Sequence, residues 1–148
     1  MRILIVEDEI PAQKRLKKII LEVIPQAELL DCISSVESAI RWFRMNKMPE
    51  LIFMDIQLED GNSFDIFREV KITAPIIFIT AFDQYAIDAF KVNSIDYLLK
   101  PVGREALQQA YDKLIHLKKN LSPLPDYGEK LQSLENTVKN YKKRFAIR

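Results

Sequence analysis

The chain has 148 residues, 48% hydrophobic and 29% charged, with a net charge of +1. That is one ordinary domain with length to spare, apolar enough for a packed core, too apolar for global disorder, and without the charge excess that argues for a polyanionic partner. The single cysteine excludes a disulfide framework, the apolar run in MRILIVEDE is too short for a signal sequence, and no stretch reaches the length of a membrane span, so the expectation is a cytoplasmic protein in a reducing compartment.

Short apolar runs alternate with amphipathic ones. Ile3–Val6 is a buried-strand pattern, followed by Leu16, Ile19, Ile20 and Val23 at helical spacing, with Pro11 in the first turn where a missing N–H costs nothing. Leu29–Ile33 is a second strand, which places Cys32 as a small buried hydrophobe. Val36, Ala39, Ile40 and Phe43 form a second helix face, with Ser35 as its N-cap. Leu51–Met54 is a third strand, and Phe64, Phe67 and Val70 mark a helix after the Gly61-Asn62 turn. Pro75–Ile79 is a fourth strand with proline at its tolerated first position. Ala86, Ala89 and Phe90 give a fourth helix, Tyr97–Leu99 a fifth strand, and Leu107, Ala110, Tyr111 and Leu114 a fifth helix. Strands apolar on both faces that alternate with helices predict a (βα)5 doubly wound parallel sheet, whose ligands bind beyond the carboxyl ends of the strands.

Those ends carry Glu7-Asp8-Glu9 after the first strand, Asp55 after the third, Thr80 after the fourth and Lys100-Pro101 after the fifth. Each alone reads as a turn former, a helix cap or a solvated charge; their coincidence at one sheet edge is the signal. Clustered carboxylates need a cation, and a hard ion such as Mg²⁺ suits two or three of them, with Asp8 and Asp55 as direct ligands and Glu7 direct or through water. Lys100 adds a fixed ammonium and Thr80 a hydroxyl, a set that matches the oxygens of a transferring phosphoryl group. Only 3 glycines and no Gly-rich loop argue against a nucleotide. The role left is a carboxylate nucleophile that forms an acyl phosphate, and Asp55 directly follows a central strand.

In their order and intervals, the acidic pair Glu7-Asp8, Asp55 after an apolar strand, Thr80-Ala81, and Asp96-Tyr97-Leu98-Leu99-Lys100-Pro101 resemble a response-regulator receiver domain over residues 1–120. The stretch from Thr80 to Phe90 further resembles receivers of the LytR/AlgR type, which precede a LytTR DNA-binding domain. The resemblance implies a flavodoxin-like sheet of strand order 2-1-3-4-5. It implies that Asp55 accepts a phosphoryl group from a sensor histidine kinase, and that the backbone carbonyl of Gln57 joins Glu7, Asp8 and Asp55 around Mg²⁺. Thr80 and Lys100 would bind the phosphoryl oxygens, Lys100-Pro101 would be a cis peptide, and Tyr97 would change its burial as Thr80 moves; on its own, Tyr97 reads as an ordinary strand aromatic. A homodimer through helix 4, strand 5 and helix 5 is implied as well.

Three positions depart from the family pattern: Glu7 stands where Asp is commoner, Asn93-Ser94 where Gly or Ala is frequent, and Gly103 where a Ser or Asp cap is common. None removes an essential group. Gln57 and Phe82 each follow a site residue by two positions, where they would border the path of an attacking water. A bulky Phe82 obstructing that water predicts a long-lived acyl phosphate; the plainer reading packs Phe82 against the following helix.

Residues 121–142 include Pro123 and Pro125 and read as a linker with a helix, and Leu131, Leu134, Val138 and Tyr141, continued by Phe145 just past that range, are spaced as an a/d heptad. That helix either pairs with its copy or lies on its own receiver. Residues 143–148, Lys143-Arg-Phe-Ala-Ile-Arg148, resemble the first strand of a LytTR domain, so DNA binding would belong to a domain absent here; the basic end is otherwise a solvated tail. The expected function is a phospho-acceptor switch for transcription, at most phosphorylating and dephosphorylating itself. The alternatives are a phosphatase with an aspartyl nucleophile, which needs a second carboxylate where Gln57 stands, and a degenerate receiver used only as an interaction module.

Overall fold

The computed structural model describes residues 1–81 and 96–119. The fourth predicted helix, Phe82, Asn93-Ser94, the linker and the heptad segment lie outside the described residues.

Five parallel strands form one sheet in the order β2-β1-β3-β6-β7, the doubly wound order expected from the family resemblance. They are β1 (Arg2–Val6), β2 (Glu28–Ile33), β3 (Leu51–Asp55), β6 (Ile76–Thr80) and β7 (Asp96–Leu99). Helices α1 (Ile10–Val23), α2 (Val36–Met45), α3 (Phe64–Glu69) and α4 (Arg104–Lys119) connect or flank them. A hairpin of β4 (Gln57–Leu58) and β5 (Gly61–Asn62) stands apart as a second, two-stranded sheet.

Side chains alternate between sheet faces along each strand. Ile3, Ile5, Phe53, Ile77 and Ile79 therefore face one apolar cluster, shared with Leu16, Ile19 and Ile20 of α1 and Leu107, Ala110 and Leu114 of α4. Leu4, Val6, Ile52, Met54 and Phe78 face the other, shared with Val36, Ala39 and Phe43 of α2 and with Phe64 and Ile66 of α3. Each fully buried residue of this kind stabilises the fold by about 1.5–3 kcal/mol, and the two layers hold the central strands rigid from both sides. Phe78 ties the second layer together, stacked on Tyr97 with ring centroids 5.2 Å apart and edge-on to Phe64 at 5.9 Å.

The helix starts follow local chemistry. Pro11 lies in the first turn of α1. Ser35 caps α2, its Oγ accepting from the Ser38 N–H at 3.1 Å. Gly103 precedes α4, its carbonyl accepting from the Leu107 N–H at 3.1 Å.

Three expectations change. The helix read from Phe64, Phe67 and Val70 stops at Glu69: Val70 has the extended backbone that suits a β-branched residue, and Ile66 rather than Phe67 is fully buried. Cys32 is half-buried rather than in the core, because β2 is an edge strand with only its end, Ile33, buried. Pro75 lies just before its strand, where its carbonyl accepts from the Ile52 N–H at 3.0 Å.

Candidate functional site

Strand register sets the site. Val6 is opposite Met54, Asp55 opposite Ile79, and Thr80 opposite Leu99, so Glu7, Asp55, Thr80 and Lys100 emerge together at the carboxyl edge. The Lys100 N–H donates to the Thr80 carbonyl at 2.8 Å, and the Glu7 N–H to that of Ile33 at 2.8 Å, which extends the ladder through the first site residues.

The Lys100 ammonium is the hub. It lies 2.8 Å from Asp55 Oδ2, 2.7 Å from Glu7 Oε1 and 3.0 Å from Glu9 Oε1. Glu7 and Asp55 are buried and Asp8 half-buried. Glu7, Asp8, Glu9 and Asp55 each place a carboxylate oxygen within 4.8 Å of the others. One ammonium among four carboxylates leaves a surplus of negative charge that a hard divalent cation would neutralise. Burial is the largest influence on Asp55 and raises its carboxyl, against the lowering effect of Lys100. Asp8 is raised by its burial and by the neighbouring Glu7. Burial alone would lower Lys100, but Asp55, Glu7 and Glu9 hold it above the usual lysine range.

The remaining predicted residues take defined places. Gln57 opens the β4–β5 hairpin and its N–H donates to Asp55 Oδ1 at 3.3 Å. Thr80 is buried at the end of β6, next to Asp55's strand. Tyr97 is buried in β7, its ring on Phe78, and burial pushes its phenol above the usual tyrosine value. The Lys100–Pro101 peptide is cis. Phe82 falls outside the described residues.

Four supporting residues carry no sequence signal for their role. Glu9, the last of the three acids after the first strand, closes the ring around Lys100. Gln13 donates from Nε2 to the Glu7 carbonyl at 2.6 Å, which pins the end of β1 to α1. Arg15 donates from Nε to the Val102 carbonyl at 2.8 Å, tying α1 to the turn after Lys100. Asp60 accepts from the N–H groups of Val36 and Glu37, which hold its carboxyl below the usual aspartate value despite some burial. No pairing rule links these partners in sequence, and only an Asp before Gly61 hinted at a turn.

The comparisons with known proteins identify the family and the fold. Residues 3–112 match the response regulator receiver domain. This chain is a response-regulator receiver. Receivers of this family are signalling switches, and the sensory transduction protein LytT of Bacillus anthracis is 34% identical over 99% of this chain and 59% of its own length. The transcriptional regulatory protein LytR of Staphylococcus aureus is 33% identical over 77% of this chain and 47% of its own. The chain thus spans about half the length of the curated relatives it matches. Among solved structures, the response regulatory domain of protein mrkE from Klebsiella pneumoniae superposes with a TM-score of 0.66 at 27% identity, covering 81% of this chain and 99% of that one. A receiver domain from Clostridium thermocellum gives 0.63 at 27% identity, covering 82% and 98%. Among the described residues, no helix of the receiver is long and apolar enough to cross a membrane.

Proposed function

We propose that Asp55 is the phospho-acceptor of this receiver. The observation that carries the reading is the Lys100 ammonium 2.8 Å from a buried Asp55 oxygen, with Glu7 on its other side at 2.7 Å. An Asp55 carboxylate oxygen attacks the phosphorus of a phosphohistidine on a sensor kinase; the O–P bond forms, the P–N bond breaks, and the histidine leaves with the electron pair. Lys100 neutralises one phosphoryl oxygen, and the Thr80 hydroxyl donates to another. Glu7, Asp8, Asp55 and the Gln57 carbonyl are the residues that would hold Mg²⁺, which supplies further neutralisation of the phosphoryl charge. The cluster of hard oxygen donors within 4.8 Å fits that ion.

The β3 backbone and the two apolar layers keep Asp55 fixed, so little reorganisation accompanies transfer. Movement of Thr80 toward the phosphoryl group would be read by Tyr97, whose ring now lies on Phe78. In the same reading, Phe82, the second residue after Thr80, sets the lifetime of the acyl phosphate together with Gln57. The printed names of the relatives, a sensory transduction protein and a transcriptional regulatory protein, support a role in signalling to transcription; control of an attached LytTR-type DNA-binding domain in the cytoplasm is our extension of that role. Dimerisation through the helix expected from Ala86, Ala89 and Phe90, together with β7 and α4, is part of the same reading.

The test is incubation with acetyl phosphate and Mg²⁺, followed by intact mass. A switch gains one phosphoryl group, which Asp55→Asn abolishes. Turnover without accumulation would instead identify a phosphatase, and neither outcome an interaction module. Faster loss of the group from Phe82→Ala is expected; an unchanged rate removes Phe82 from the reading.

A further inference from the structure

We propose that Asp60 is a positioning residue for the metal-binding end of the site, acting through the β4–β5 hairpin and Gln57. The inference rests on the Mg²⁺ reading above and adds a residue to it.

The hairpin is minimal: Gln57 pairs with Asn62 and Leu58 with Gly61, and nothing more. Two such pairs are not stable by themselves. Its base is closed by the Ser63 N–H donating to the Ile56 carbonyl at 2.8 Å, and by the Phe64 N–H donating to Asn62 Oδ1 at 2.9 Å. Its tip, Glu59-Asp60, is exposed, and of the hairpin's own residues only Leu58 is buried. What holds the tip is Asp60, which reaches 24 residues back: Oδ1 accepts from the Val36 N–H at 2.7 Å and Oδ2 from the Glu37 N–H at 3.1 Å.

A carboxylate on the first N–H groups of a helix is usually read as a cap. Here α2 already has one, because Ser35 Oγ accepts from the Ser38 N–H. The second cap differs in where it comes from. It fastens a loop whose first residue, Gln57, lies beside Asp55 and contacts it directly through N–H to Oδ1. Releasing the tip frees both the Gln57 carbonyl, a proposed metal ligand, and the amide that orients Asp55. Residues that orient ligands without touching the metal are typically worth about 10–100-fold in affinity.

The experiment compares Asp60→Ala with Ser35→Ala, which removes the other cap from the same helix end and leaves the hairpin alone. Mn²⁺ binding to the full chain is followed by electron paramagnetic resonance. Asp60→Ala is expected to weaken binding by about tenfold and Ser35→Ala to leave it unchanged, although both lower the melting temperature. Equal affinities for the two variants overturn the proposal. If the unsubstituted protein binds no metal, the Mg²⁺ reading fails on its own, and amide exchange in metal-free protein then decides the clamp. Faster exchange at Gln57 in Asp60→Ala than in Ser35→Ala upholds it, and equal exchange overturns it.

Discussion

Asp55 and Lys100 meet at 2.8 Å although they lie 45 residues apart, and both are largely out of solvent, at 7% and 16% side-chain exposure. The pair is not balanced, since Glu7 and Glu9 share the same ammonium. Asp55→Asn therefore removes one of several crowded negative charges while leaving Lys100 paired. Without Mg²⁺, its melting temperature should equal or exceed that of the unsubstituted chain, while phosphoryl gain from acetyl phosphate is lost. A thermal melt and an intact mass on the same sample check both halves.

Lys100→Met should do the opposite to stability. It strands Glu7 and Asp55, at 2% and 7% side-chain exposure, without their cation. Removing one partner from a buried ion pair costs about 3–5 kcal/mol, read as a lower urea midpoint. Saturating Mg²⁺ should recover part of it, because the metal replaces the missing positive charge. Glu9→Gln should cost under about 1 kcal/mol, because an exposed carboxylate is screened by water; Glu9 is 66% exposed.

The raised carboxyls of Asp55 and Asp8 set a pH dependence. In the folded state they hold protons that the unfolded chain has already released. Metal-free stability should therefore rise as pH falls from neutrality through their raised values, levelling off toward the ordinary aspartate value. Asp60 is lowered, so its contribution is present above the ordinary value and is lost as pH falls through its own lower one. Urea midpoints in EDTA should thus rise as the pH is lowered from neutrality toward the ordinary aspartate value. Excess Mg²⁺ should reverse the trend, since its ligands must be deprotonated.

Gly61→Ala tests the hairpin from its backbone. Gly61 has φ +152°, a conformation that L side chains rarely adopt. Alanine there should destabilise by about 1 kcal/mol or more in urea unfolding, although its Cβ would meet Asp65 Oδ2 at an ordinary 3.4 Å. The loss would come from strain rather than crowding.

In the core, Phe78→Ala should cost about 3–5 kcal/mol, because Phe78 joins Phe64 of α3 to Tyr97 of β7. A smaller loss in the urea midpoint would mean that Tyr97 collapses into the space.

The sequence by itself determined the five strands of the parallel sheet, the four helices among the described residues and the edge at which the chemistry gathers. Apolar runs such as Leu51–Met54 bury both faces, and a parallel sheet brings the strand ends into line, so Asp55, Thr80 and Lys100 could be placed from local pattern alone. It also determined the caps whose partners are a few residues away, such as Ser35 on Ser38. It misplaced Cys32 and Val70, because burial on an edge strand and the end of a six-residue helix depend on what packs against them. What only the tertiary structure decided were the long-range partners. Lys100 is shared among three carboxylates, and Asp60 clasps a helix whose first residue, Val36, is 24 residues away. Hydrophobic periodicity repeats locally and can be read along the chain, whereas a hydrogen bond between distant residues follows from where the packed layers bring their backbones together, and carries no period to read.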